Sequence, residues 1–247
     1  MAATNIPPHI PYFDPPHIWA LVLTLLVPVV LVKLVKRKDP GDLPRKVGWA
    51  LAGLLLVNEI AYRVFYFTET ENTREFLELA LPIHLCPLAL FAGLIALWRC
   101  SQIGYEFAYF VGLTGTLNAL LTPDIIWPFP SYGFIGYFIA HCGVIWAVLY
   151  ATWALKMRPT WRSMWRVFLL LNAIAVVLAL VNLALGGQAN YAFLRHAPEA
   201  DTPFFFAPWP WYIPFLEVFA LGMFALAYLP FWISDHLASR RAEVDPD

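Results

Sequence analysis

Charge is what this sequence has least of. Asp, Glu, Lys and Arg make up 13% of its 247 residues, where a soluble domain carries about a quarter. That shortage excludes a water-soluble enzyme, a disordered tail and a nucleic-acid binder. Sixteen Lys and Arg against 17 Asp and Glu leave a net charge of −1, so no excess of positive charge exists to hold a polyanion, and no nucleic acid is expected as a partner. Cysteine is scarce as well: three residues in a chain this long are no disulfide framework. Long polar spacers and low-complexity tracts are absent, so 1–247 reads as one domain. What fills the chain is apolar: 60% hydrophobic residues and a mean hydropathy of +0.63, with 21 prolines and 11 tryptophans.

A helix needs about 20 mostly apolar residues to cross roughly 30 Å of hydrocarbon. Seven stretches meet that need, at about 17–35, 47–67, 76–98, 103–121, 132–155, 165–185 and 212–234. The expected fold is therefore an all-α membrane protein with seven transmembrane helices. Lys and Arg favour cytoplasmic loops, and 13 of the 16 fall in the first, third and fifth loops and the C-terminal tail, from the cluster Lys33, Lys36, Arg37 and Lys38 to Arg240 and Arg241. This puts the N-terminus outside and the C-terminus in the cytoplasm. Tryptophan prefers the headgroup level, and all but Trp146 fall at or near span ends. The basic cluster follows the first apolar run instead of preceding it, so an N-out anchor is expected and a cleaved signal peptide is not. Spans 1–3 and 5–7 share an order of orientations that allows a parallel 3+1+3 repeat. Its local signs are the prolines of Leu81-Pro82-Ile83-His84 and Ile213-Pro214-Phe215-Leu216, and the Lys-plus-Pro ends Lys38-Asp39-Pro40 and Lys156-Met157-Arg158-Pro159.

Polar side chains are costly inside a bilayer, so they pair or do work. At about 1.5 Å per residue, Glu59, His84 and His141 lie roughly 12–14 Å below the outer surface, and Arg63, Asn118, Asn182 and Glu217 roughly 5–10 Å below it. The inner halves are nearly free of such groups, apart from Glu106. The expectation is a polar pocket open to the outside. Plainer readings stand beside it. Glu59 and Arg63 have the i,i+4 order of an intrahelical ion pair, Asn58 and Tyr62 suit hydrogen bonds between helices, and Thr114 and Asn118 near Gly112 and Gly115 suit a close helix crossing.

Leu81-Pro82-Ile83-His84-Leu85-Cys86-Pro87 is the sharpest local feature. Pro82 and Pro87 should free the carbonyls of Glu78 and Ile83 and push Cys86 from helical geometry. Broken backbone in lipid is tolerated where it lines a cavity or is covered by protein. His84 and Cys86 are two residues apart and do not face each other on a helix. A nucleophile–base pair would instead form across spans, Cys86 or Cys142 with the other span's histidine. An inert structural cysteine is the default for all three, including Cys100. Two outer connectors complete the set. Residues 122–131 are proline-stiffened and carry Asp124, and 186–211 run from Asn190 and Tyr191 to Phe204-Phe205-Phe206 and Trp209, long and aromatic enough for a lid, a rim admitting lipid or an interfacial anchor.

Several of these motifs belong together. Leu81–Cys86, Leu113-Thr114-Gly115-Thr116-Leu117-Asn118 continuing to Thr122-Pro123-Asp124, His141, and Asn190-Tyr191-x-Phe193-Leu194 resemble the YwaF-like, TMEM164-related family of integral membrane proteins over nearly the whole chain. The resemblance implies a multi-pass protein of a cell membrane, here a bacterial inner membrane. A human relative is an acyltransferase that remodels ether phospholipids through an essential cysteine. Acyl transfer is thus implied here, with Cys86 or a neighbouring position as the counterpart left open.

Three functions compete. One is a lipid-directed enzyme performing phospholipid acyl transfer, with membrane lipids as partners, Cys86 as nucleophile and His84 or His141 as general base. Glu59, Arg63, Asn118, Asp124, Asn182, Asn190, Tyr191 and Glu217 would bind substrate. Another is a SWEET-like transporter or solute-binding protein. The last, a metal hydrolase, finds no HxxxH or HExxH spacing, and no metal or other cofactor is expected. A retinal protein is excluded, because 212–234 holds no lysine. Oligomeric state is not legible.

Overall fold

The structure, a computed structural model, describes residues 10–36, 41–198 and 207–244, with side chains as far as Arg240. Arg37, Lys38, Asp39, Pro40, Phe204, Phe205, Phe206 and the side chain of Arg241 lie outside the described residues, so the basic cluster and the aromatic run are described only in part. Every element among the described residues is helical.

Helix α1 (Pro15–Val35) starts where Asp14 caps the backbone N–H of His17 at 2.9 Å and two prolines occupy the first turn, where a missing N–H costs nothing. Next come α2 (Leu43–Glu69), the short α3 (Thr73–Leu79) and α4 (Leu85–Arg99). The fourth apolar stretch is α5 (Gln102–Phe107), a π-helix (Ala108–Thr116) and α6 (Leu117–Leu121), following one another without a break. Then α7 (Tyr132–Trp153), α8 (Trp161–Leu185), a 3₁₀ turn (Tyr191–Phe193) and α9 (Tyr212–Val244) complete the chain.

Five helices are long and apolar enough to cross a membrane: α1, α2, α7, α8 and α9, the last over Tyr212–Arg240. Helix α4 is apolar but shorter, about 22 Å over its 15 residues. The stretch expected as one span over 76–98 is therefore not one helix. Leu79 ends α3, Ala80–His84 are non-helical, and a new helix begins at Leu85.

The break also corrects the reading of its two prolines. Pro87 occupies the third position of α4, where no N–H is needed, so it starts a helix instead of kinking one, and Cys86 is helical. Pro82 lies in the break itself. Pro214, its counterpart in the repeat argument, sits in the first turn of the unbroken α9, so the two prolines do different things.

Helix α7 is the hub. Of its most apolar 18 residues 78% are buried, against 17% for α8 and 6% for α9. It packs on α1, α2, α4, the π-helix and α6. Glycine allows the approach to α2: a Cβ at Gly136 would stand 2.7 Å from the Tyr62 ring, and one at Gly143 would run into Leu55. Helix α8 meets α3, α5 and the 3₁₀ turn, and α9 meets only α8 and the π-helix among its main contacts.

Candidate functional site

The break between α3 and α4 leaves backbone groups that no helix serves; two side chains serve them, and a third holds one of the two in place. Arg63 on α2 donates to the carbonyl of Ala80 at 2.8 Å. The Tyr191 hydroxyl donates to Leu77 O at 2.8 Å and accepts from Leu81 N at 3.0 Å. Asn182 on α8 then fixes Tyr191 by both its backbone groups, accepting from the N–H at 2.8 Å and donating to the carbonyl at 3.0 Å. The carbonyls bound are those of Leu77 and Ala80, where the sequence pointed to Glu78 and Ile83.

The loop after α8 is a built clamp. Arg195 reaches the carbonyls of Gly186, Gly187 and Ala189, and Asn190 accepts from Arg195 N at 3.0 Å while donating to His196 O at 2.9 Å. Glu78 bonds Arg74 at 2.8 Å and accepts from Gln188 N at 2.9 Å. Gly187 must be glycine here: its φ is +49°, and a Cβ would run into the Glu78 carboxylate.

Against this clamp stands His84, which caps α4 with extended backbone. Its ring lies 4.8 Å from that of Tyr191 and 6.0 Å from that of Phe193. The Ala192 N–H points at its Nδ1 from 3.5 Å, a long contact. An acceptor Nδ1 in a neutral imidazole leaves the proton on Nε2. His141 on α7 is held the other way. Its Nδ1 is 2.8 Å from Tyr137 O, and a carbonyl can only accept, so Nδ1 carries the proton and Nε2 keeps a lone pair. Its ring stacks on Tyr137 at 4.0 Å. From Ala140 to Val148, His141 is the one residue that is not buried.

Around the two histidines the expected polar layer takes shape. Glu59, 2% exposed, faces Arg63 with Oε1 and Nε 2.9 Å apart, a charge contact whose geometry falls short of a hydrogen bond. The Arg63 guanidinium lies over Tyr62 and Tyr66 at 5.1 and 5.3 Å, and its charge reaches both His84 and His141. Cys86 neighbours the Thr116 hydroxyl and lies within electrostatic reach of Tyr137. Asp124, in the exposed connector 122–131, acts by its charge on Tyr66 and Tyr137.

This cluster is a packed polar core with a half-open edge, and the open surface belongs to Leu81–Leu88, Arg63, Tyr66 and His141. Buried polar atoms are nearly always hydrogen-bonded. Among the described residues those that are not lie on Glu59, Tyr62, Arg63 and Thr116, all within this one region.

Other expected site residues do different work. Asn182, Asn190 and Tyr191 build the clamp. Asn118 bonds Thr114 O in its own helix at 3.1 Å. Glu217 accepts from Asn172 at 2.9 Å and joins α9 to α8. Cys142 faces α1, taking the Thr24 hydroxyl at 3.1 Å. Among the described residues no three His, Cys, Asp or Glu converge as metal ligands would.

Sequence reading missed Thr116 and Tyr137, although Tyr137 sits one turn before His141, a spacing that marks shared helix faces. It also missed His17, fully buried, whose Nδ1 accepts from Phe13 N at 2.9 Å and whose Nε2 meets Leu120 O at 2.7 Å, tying α1 to α6. Nothing in its sequence context marks it.

No curated protein and no solved structure matches the chain. One family model does, over residues 12–228, a stretch that takes in the broken third segment, both histidines and the clamp. The chain is a membrane protein of the TMEM164 family.

Proposed function

We propose that the protein is a lipid-directed membrane enzyme that transfers acyl chains between phospholipids, with its site at the half-open polar cluster. The observation that carries the reading is the concentration in one region of buried polar atoms without a hydrogen bond, on Glu59 and Arg63, whose charge contact falls short of one, and on Tyr62 and Thr116. Such atoms suit the carbonyl, glycerol and phosphate groups of a lipid; Thr116 neighbours Cys86, and the Arg63 charge reaches His141. In this scheme Cys86 gives its proton to His141 Nε2 as its sulfur attacks an acyl ester carbonyl. The tetrahedral adduct collapses to an acyl thioester, and the departing lysolipid alkoxide takes the proton from His141. A second lysolipid hydroxyl then attacks the thioester, losing its proton to His141, and the thiolate leaves and is reprotonated. His84 would present its Nε2–H to the oxyanion.

The seven apolar stretches are read as seven crossings, with α3–α4 and the α5–π–α6 run as the third and fourth, N-terminus outside and C-terminus in the cytoplasm of a bacterial inner membrane. A transport route would need free polar groups in the inner halves. Glu106 is committed there to Ser163 at 2.7 Å, Gln102 at 2.9 Å and Arg166 at 2.9 Å, which favours the enzyme.

The test is acyl transfer in liposomes from a labelled phospholipid to a lysophospholipid. Cys86→Ala should abolish it and His141→Ala should slow it about 10²-fold or more. Full rates in both variants would remove the assignment.

A further inference from the structure

A second concavity lies on another face of α7. Successive residues of an α-helix turn by about 100°, so Tyr137 and His141 share one stripe while Ile135, Phe138, Cys142 and Trp146 share another. That second stripe and the first turns of α1 enclose a groove of about 430 Å³. Its floor is formed where two small residues meet, Ala20 and Cys142, with the Cys142 sulfur 3.7 Å from Ala20 O. Larger side chains stand up on either side: Trp19 and Leu23 on α1, Phe138 and Trp146 on α7. Phe129 from the connector before α7 closes the end near Pro15 and Pro16.

We infer that this groove is a binding site for one acyl chain of a membrane glycerophospholipid. Both walls belong to helices long and apolar enough to cross a membrane, so the medium that meets the groove is hydrocarbon. Its lining offers no polar partner. The Trp146 N–H is spent on Leu23 O at 3.1 Å, and the Thr24 hydroxyl beneath the floor on Ala20 O at 2.8 Å and on Cys142. An occupant with hydrogen-bonding groups would lose them there. The length fits too. From Ile135 to Trp146 the groove follows α7 for about 17 Å, close to half of the roughly 30 Å hydrocarbon core. It starts at the helix ends that meet the interface, so it spans one leaflet. The site holds whether or not Cys86 and His141 transfer acyl groups.

The test uses the full-length protein in liposomes of phosphatidylcholine carrying a diazirine midway along one acyl chain, with adducts mapped by peptide mass spectrometry after illumination. Adducts should concentrate on peptides covering 16–23 and 135–146, above those on the more exposed α8 and α9. Ala20→Phe fills the floor and should lower groove adducts about tenfold, as expected for roughly two buried methylenes. Ile139→Trp narrows the groove from the α7 side and serves if the first variant does not fold. Leu169→Phe, on the exposed face of α8, should change nothing. Adducts spread over all helices in proportion to exposure would overturn the inference. So would groove labelling that persists in a folded plugged variant.

Discussion

At the scale of single residues, Arg63 bears most. It faces the Glu59 carboxylate, lies over two tyrosine rings and holds the Ala80 carbonyl. Arg63→Met leaves Glu59 buried and alone, a change that costs about 3–5 kcal/mol. The double variant Glu59→Leu, Arg63→Met removes both charges and should recover much of that loss in thermal unfolding in detergent. A double variant no more stable than the single one would contradict the pairing. The spacing of Glu59 and Arg63 announced their ion pair in the sequence. The attachment to Ala80 was not legible, because it depends on where α3 ends, and nothing in a linear pattern places a carbonyl just past one helix beside a guanidinium of another.

Glu78 ties two elements at the same scale. Its carboxylate accepts from Arg74 and from the Gln188 N–H. Glu78→Gln removes the charge from both contacts, so amide exchange at Gln188 and Ala189 should speed up at neutral pH, and unchanged exchange there would contradict the contact.

Among elements, the break between α3 and α4 is held from outside. The Tyr191 hydroxyl serves one N–H and one carbonyl there, so Tyr191→Phe strands both and should cost about 1–3 kcal/mol. Asn182→Ala frees the Tyr191 backbone and should act in the same direction. Both should raise exchange across Leu77–His84 while leaving α7 protected, and equal loosening of α7 would refute the local role. The motif from Leu81 to Pro87 signalled irregular backbone correctly. What it could not convey is that Pro87 begins a helix, since a proline at the third position and one in mid-helix look alike until the helix start is known. The π-helix left no mark either. It appears where Gly112 lets the chain close on α7, a Cβ there standing 2.5 Å from Val144, and such packing is a property of two segments together.

For the molecule as a whole, the apolar runs were the strongest signals, and they rest on solvent chemistry that needs no tertiary knowledge. They delivered an all-helical membrane protein. Seven crossings predict that the two termini lie on opposite sides. Protease added outside intact spheroplasts should remove an N-terminal tag and spare a C-terminal one, and loss or protection of both would refute the odd count. That Glu59, His84 and His141 lie at one level was legible from their depth, and Arg63 joins them through its spacing to Glu59. The roles of Asn118 and Glu217 were not, because depth says nothing about which way round its helix a side chain points.

Helix α9 carries a consequence of its own. Its 33 residues extend about 50 Å, of which the apolar part, 212–234, covers about 34 Å against roughly 30 Å of hydrocarbon, and the bundle grips it weakly, with 6% of its most apolar stretch buried. A segment longer than its solvent slab tilts or protrudes, and this one is braced near its far end by Asp235, 2.6 Å from Arg158. Bilayer thickness therefore acts on this helix as a lever with its fulcrum at that contact. Thinner lipid should lean α9 over, drawing Tyr109 along through its bond to Ala227 O, while the hub helix stays upright.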